Sequence, residues 1–424
     1  MSHEHSLNCT QCRHLEGERC ALHGVALTHP AFTLCGHCVS ADETPEVMPR
    51  RHPELQELSP DWLYQLDPAG EATPLLQVAR RRRSRPPTGQ LQPLPELPAG
   101  PVGAGSAPED RFVGALVGLA LGEALGLPAE GRSPEDVEMI YGGPLQGLVG
   151  RIGRRHHWPV GQVAKDTQLV QLIGASLVAH RGELDLDDVA ERLVRWLPTA
   201  LKPGKSTVQA VTALREGRHW SVSGVDSNGA GGSARLVPLA LVRHTQLGRL
   251  RQDAVLQCLV THRGSKALAG AVLFGTAIAA LVGTPRGALD REALLVLLVH
   301  AIRGIDLGAS ARLHEVRSAL AGGTPAPEIV KAFKTGGFVL ECLPSALACF
   351  LSHPEEPERA LLTAVNAGFD ACATGAMTGA LVGAYLGRTG LPEAWLAQLG
   401  VEAPLAQLAH ELHALAGPGP SAGA

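Results

Sequence analysis

Aromatic side chains are scarce. Five Trp, three Tyr and seven Phe make up 4% of the 424 residues, and there are only four Met. A core without large rings has to be filled by small and aliphatic side chains at close range; 45% of the residues are hydrophobic, alongside 49 Gly. A strong excess of charge of one sign is also missing. The net charge of −4 excludes the whole molecule as an electrostatic binder of nucleic acid. The opening MSHEHSLNC has no apolar stretch, so no secretory leader is expected. Long hydrophobic runs are nearly absent. The one that approaches the ~20 residues of a membrane span runs from Ala267 to Pro285. It lies between Lys266 and Arg286, is rich in Ala and Gly, and contains Thr276 and Thr284. That composition predicts a buried helix of a soluble, cytoplasmic protein with no membrane partner.

What is present is unevenly distributed. Five of the nine cysteines fall in the first 38 residues, as Cys9-x2-Cys12, Cys20 and Cys35-x2-Cys38. Such clustering predicts metal binding in a reducing compartment rather than a disulfide framework. Residues 1–40 are too short to fold on apolar burial alone. Tetrahedral zinc takes four ligands, so Cys9, Cys12 and Cys35 with Cys20 or Cys38 are the expected set, His23 and His37 being spares. A four-cysteine iron–sulfur cluster is the alternative, with zinc preferred because nothing nearby points to electron transfer. The expected role is docking to a protein partner. Residues 41–107, with RRRRSRPP (80–87) and many prolines, read as a largely disordered linker. Residues 108–416 carry apolar residues at three- and four-residue spacing, as in LDLDDVAERLVRWL, which predicts an all-α domain. The tail 417–424, GPGPSAGA, reads as disordered.

Two segments of the helical region share a glycine stripe, at 114, 118, 122 and 126 and at 375, 379, 383 and 387. Spacing by four puts each set on one helix face. Glycine costs about 1 kcal/mol per helical position relative to alanine, so close approach of two helix backbones is the expected compensation. If the two helices run antiparallel, Glu130 just after the first meets Asp370 just before the second. Asp166, at the start of another helix, is a third carboxylate for the same spot. A parallel arrangement would separate them, and for each Asp the plain alternative is helix N-capping.

With these blocks in view, residues from about 111 to 390 resemble the ADP-ribosylglycohydrolase family, all-helical enzymes that remove ADP-ribose using two divalent metal ions. GALVGLALGEALGLPAEG resembles the opening helix, its metal-binding Glu falling on Glu130. PVGQVAKDTQL resembles a loop that in the family reads Pro-x-Gly-x-x-Thr-Asp-Asp-Thr-Gln. SNGAGGSARLVPLAL resembles the glycine-rich substrate loop, THRGSKALAGAV a Thr-His helix start and GGFVLECLPSALACF a late helix. NAGFDACATGAMTGAL resembles the last block, Gly-Gly-Asp-Thr-Asp-Thr. The resemblance implies an orthogonal helical bundle. It implies ligand contacts at Asn228, Gly229, Gly231, Gly232, Ser233, Arg235, His262 and Gly368, to ADP-ribose or an ADP-ribosylated protein.

The departures fall on the metal ligands. The Thr-Asp-Asp triplet stands here as Ala164, Lys165 and Asp166. In the last block Asp370 is kept, while Cys372 and Ala373 replace Asp and Thr. Gly-Asp of the opening helix has become Gly122-Glu123. Hard divalent ions want oxygen donors, so these replacements argue against a magnesium or manganese pair. Lys165 is expected to replace part of the metal charge by pairing with Asp166, Asp370 or Glu130, the alternative being a solvent-facing lysine. The expected function is recognition of ADP-ribose with hydrolysis reduced or lost, the glycine loop and two helix N-termini cradling the diphosphate. The alternatives are an atypical glycohydrolase running on two carboxylates and a scaffold without a ligand.

Overall fold

The computed structural model describes residues 107–153 and 157–416 and, upstream, the backbone of three two-residue strands. These strands are β1 (Leu15–Glu16), β2 (Arg19–Cys20) and β3 (Val25–Ala26), antiparallel in the order β1-β2-β3 with Leu15 opposite Cys20 and Arg19 opposite Ala26. A small meander was not foreseen in the cysteine-rich segment. Of the five expected metal cysteines, Cys20 falls in β2, while Cys9, Cys12, Cys35 and Cys38 lie outside the described residues, as do the linker up to 106 and the tail from 417. The helical body begins slightly before the expected boundary, since Ala107 is buried and its carbonyl accepts from His413 Nε2 at 3.1 Å.

The helical body contains, in order, α1 (Glu109–Gly126), α2 (Pro134–Tyr141), α3 (Lys165–Ala179), α4 (Leu186–Trp196), α5 (Lys205–Arg215), α6 (Trp220–Ser223), α7 (Val237–Val242), α8 (Leu247–Leu259) and α9 (Ser265–Val282). There follow α10 (Arg291–Ala301), α11 (Leu307–Ala321), α12 (Ala326–Phe333), α13 (Val339–Ser352), α14 (Pro357–Asn366), α15 (Ala371–Leu386), α16 (Glu393–Leu396) and α17 (Glu402–Leu415). The boundaries follow local chemistry. Ser133 and Asp136 close a capping box at α2 with Pro134 in its first turn, and left-handed Gly142 ends it. Asp185 caps α4 through the N–H groups of Asp187 and Asp188, and Leu186, Val189, Leu193 and Trp196 form its buried stripe.

At the centre, α1 and α15 pack antiparallel along their glycine stripes. A methyl group added at Gly114, Gly118, Gly122 or Gly126 would run into the carbonyl of Gly383, Gly379, Gly375 or Ala371 respectively, well inside contact distance. Glycine is thus required by backbone-to-backbone approach, which offsets its poor helix propensity. Helices α9, α13, α14 and α17 surround this pair. Helix α9 is long and apolar enough to cross a bilayer by length and composition, yet every residue from Ala267 to Val282 is buried by neighbouring helices. The buried Arg111 guanidinium sits at its C-terminal end and donates to the carbonyls of Leu281, Val282 and Thr284, satisfying orphan acceptors there.

Candidate functional site

The antiparallel pairing of α1 and α15 brings the turn after one against the turn before the other. Two short hydrogen bonds tie the turns together: Gly131 N donates to Phe369 O at 2.6 Å, and Phe369 N to Arg132 O at 2.7 Å. Gly368 and Phe369 both have positive φ, 73° and 56°. At Gly368 a side chain would also strike the Arg132 carbonyl. Phe369 pays the strain of a left-handed non-glycine residue at the entrance to α15. Arg151 Nη1 braces the same corner from a third segment, donating to Leu127 O at 2.6 Å and Glu130 O at 2.8 Å.

Neither aspartate at a helix start is a cap. Asp166 is the second residue of α3, whose N-cap position, Ala164, has no side-chain cap bond. The cap comes from another helix: the fully buried Glu123 of α1 accepts from Ala164 N (2.9 Å), Asp166 N (2.8 Å) and Thr167 N (3.0 Å). Burial, then the adjacent Asp166, pushes the Glu123 carboxyl up to about 7 against Lys165 and those N–H donors. Asp370 occupies the N-cap position of α15 without a side-chain cap bond, and the nearby Ala373 N–H works against the burial that raises its carboxyl. Instead Glu130 Oε2 accepts from the first-turn Cys372 N at 3.0 Å. Of the N-terminal N–H groups expected to cradle a diphosphate, those of Ala164, Asp166 and Thr167 at α3 are held by Glu123, and that of Cys372 at α15 by Glu130.

Lys165 does not face solvent alone. Its Nζ lies 3.0 Å from Asp166 Oδ2, with the lysine side chain 15% and the aspartate 1% exposed. Burial works against the ammonium, but the fields of Asp166, Asp370 and Glu130 override it and hold Lys165 well above its ordinary value. Asp370 is pushed up to about 6, by burial first, with Lys165 opposing and Glu130 and Asp166 reinforcing. A second lysine, Lys202, reaches the cluster from the α4–α5 connection, its Nζ 3.7 Å from Glu130 Oε1. Burial lowers it, with Glu130 opposing. Two ammonium groups thus stand among the carboxylates of Asp166, Asp370 and Glu130, with Glu123 behind Asp166.

The other replaced positions have become apolar. Ala164 and Cys372 pack with Leu127 in one small buried cluster, covered by Trp158 and Leu201. The Cys372 thiol is pushed well above its ordinary value, by burial first and then Glu130, so it stays a neutral thiol. The donor set left by Ala164, Lys165, Cys372 and Ala373 does not fit a pair of hard divalent cations, which are held by oxygen ligands.

The glycine-rich loop is attached to this cluster through one residue. Gly337 O accepts from Ala230 N at 3.1 Å, and a Cβ on Gly337 would lie 3.3 Å from Asp370 Oδ2. Asn228 is half-buried, its Oδ1 accepting from Lys266 N at the start of α9 (3.1 Å) and its O from Val339 N (3.0 Å). Gly229 and Gly231 are half-buried and lie against His262. Gly232, Ser233 and Arg235 are interior. Gly232 backs onto Cys258; Ser233 and Arg235 have no exposed surface. For these three the expected place in a ligand-contacting loop is corrected: after Gly231 the chain turns into the core as short 3-10 turns leading into α7.

Two ammonium groups set among carboxylates beside a glycine loop, all at the meeting point of two glycine-striped helices, give the helical body a polar centre at its helix ends. The family profile described as ADP-ribosylglycohydrolase matches residues 104–421. An uncharacterized protein of Archaeoglobus fulgidus is 30% identical over 311 residues, covering 72% of this chain and 97% of that protein. The ADP-ribosylarginine hydrolase Tri1 of Pseudomonas putida is 28% identical, covering 72% and 78%. Among solved structures, a chain of an ADP-ribosylglycohydrolase-related protein complex superposes with a TM-score of 0.60 at 26% identity, covering 73% of this chain and 99% of that one. The chain belongs to the ADP-ribosylglycohydrolase family.

Proposed function

We propose that the helical domain recognises ADP-ribose, or a protein carrying it, and that hydrolysis of the glycosidic bond by a metal pair is reduced or lost. The observation that carries this reading is the Lys165 ammonium, 3.0 Å from Asp166 in a centre where Ala164, Cys372 and Ala373 supply no carboxylate. With the α3 N-terminus capped by Glu123 and the Cys372 N–H of α15 held by Glu130, the groups offered to a diphosphate are Lys165, Lys202 and the glycine loop around Gly229 and Gly231. A titration of the full-length protein with ADP-ribose by calorimetry, and an assay of ADP-ribose release from arginine-modified protein with magnesium or with EDTA, test it. Binding with the same affinity in both, and no magnesium-dependent release, is the expected result. Magnesium-dependent turnover overturns it.

A second reading is hydrolysis on carboxylates alone. Asp370, pushed up to about 6, is poised to hold a proton near neutral pH, as a general acid must. Release that persists in EDTA and disappears in Asp370→Asn selects it over the first. For the amino-terminal segment, the spacing of Cys9, Cys12, Cys20, Cys35 and Cys38 supports a zinc-held docking module in a reducing, cytoplasmic setting. Elemental analysis is expected to find one zinc per colourless chain; a brown protein containing iron refutes it.

A further inference from the structure

His262 stands on the loop before α9, buried to 3% exposure, with its ring beneath the glycine-rich loop. Its Nδ1 is 2.8 Å from Thr261 Oγ1. Thr261 Oγ1 in turn lies 2.8 Å from Arg235 Nη2. Arg235 is wholly buried; its other bonds go to Gln257 Oε1 and Gln257 O, and its Nη1 has no partner.

The directions of these bonds follow from what each group can do. A guanidinium only donates, so Thr261 Oγ1 accepts from Arg235. The buried hydroxyl still has a proton to place, and an unmade buried bond costs about 1–3 kcal/mol. The partner in reach is His262 Nδ1, which must then be the unprotonated nitrogen. The ring proton is left on Nε2. That nitrogen faces the loop: a Cβ on Gly229 would lie 3.4 Å from it and one on Gly231 3.5 Å. The two glycines keep side chains off the face where Nε2–H points.

We propose that Arg235 and Thr261 are positioning residues that lock His262 as a neutral imidazole whose Nε2–H donates to an acceptor oxygen of a phosphate-bearing ligand held under Gly229 and Gly231. The ligand half of this rests on the ADP-ribose reading above; the lock itself does not. Arg235, interior and unable to touch a ligand, thereby regains a part in the site through its neighbour. The same arrangement excludes the cationic form: burial first, then the Arg235 charge, pushes His262 down to about 3. A fixed neutral donor selects an acceptor by geometry and does not switch across the physiological range.

The test reads the tautomer directly. Full-length protein labelled with nitrogen-15 at histidine, with the His262 signals assigned by their loss in His262→Gln, is followed from about pH 5 to about pH 9. The expected result is an unprotonated Nδ1 and a protonated Nε2 throughout. A His262 that titrates near neutrality, or that carries its proton on Nδ1, overturns the lock in the wild-type protein with no variant needed. Thr261→Val is expected to let the proton move to Nδ1 and to weaken ADP-ribose binding about tenfold, and Thr261→Ser to restore both. If Thr261→Val leaves tautomer and affinity unchanged, the relay is wrong. If the wild-type tautomer is as stated but no ADP-ribose binds, the lock stands and the ligand half falls together with the proposed function.

Discussion

Lys165 is the residue on which the chemistry of this centre turns. Its ammonium is paired with a carboxylate that is 1% exposed and lies in the field of two more. Removing one partner of a buried pair leaves the other uncompensated, which costs about 3–5 kcal/mol. Lys165→Met is therefore expected to lower the unfolding free energy by about 3 kcal/mol at neutral pH, measured in urea, and pairing it with Asp166→Asn should recover much of that loss. The reverse change is informative as well. Lys165→Asp together with Cys372→Asp returns two oxygen donors and removes the cation, and is expected to raise the affinity for manganese at least tenfold over wild type in a calorimetric titration. Equal affinities would show that Lys165 is not what opposes a cation here. Lys202, 32% exposed at 3.7 Å from Glu130, makes a weaker pair, and Lys202→Met is expected to change stability by less than about 1 kcal/mol while weakening ADP-ribose binding.

Between α1 and α15 the packing tolerates no side chain. Gly379→Ala would press a methyl group into the Gly118 carbonyl, and since both neighbours are helix backbone, relief requires moving a helix. A loss of about 3 kcal/mol is expected in chemical denaturation, at or beyond the usual range for overpacking. Gly248, in the first turn of α8, has nothing within 4 Å of an added Cβ. Gly248→Ala is expected to stabilise by about 0.5–1 kcal/mol, which separates steric approach from helix propensity as the reason for the stripe. This pair of helices was legible in the sequence because glycine at a spacing of four has one structural use strong enough to offset its propensity. The meeting of Glu130 with Asp370 was legible only given an antiparallel choice that spacing cannot make. What was not legible is tertiary. Lys202 comes from the α4–α5 connection with no motif around it. The cap of α3 is Glu123 on another helix rather than the local Asp166. The turn of the chain into the core after Gly231, which carries Arg235 inward, is invisible to a residue pattern that treats the loop as continuous.

Taken as a whole, the helical body holds an unusual concentration of acid at one interior point, and this shapes its response to pH. In the unfolded chain Asp370 gives up its proton near its ordinary value of 3.8, whereas in the folded protein it keeps it to about 6; Glu123 behaves alike, between 4.5 and about 7. Over that interval the native state binds more protons than the unfolded state, so these two groups make the fold less stable as pH rises. Their penalty is absent below about pH 4 and complete above about pH 7. Exposed carboxylates held low by basic neighbours, such as Glu356 beside Arg359, act in the opposite direction, so the net curve mixes both signs. The difference between wild type and Asp370→Asn isolates one contribution, because the asparagine cannot titrate. The wild-type protein is expected to lose stability relative to that variant as pH is raised from about 4 to about 6, read as diverging melting temperatures in thermal scans. Parallel curves would mean that the Lys165 ammonium keeps Asp370 ionised throughout, and that the acid cluster is balanced by its lysines alone.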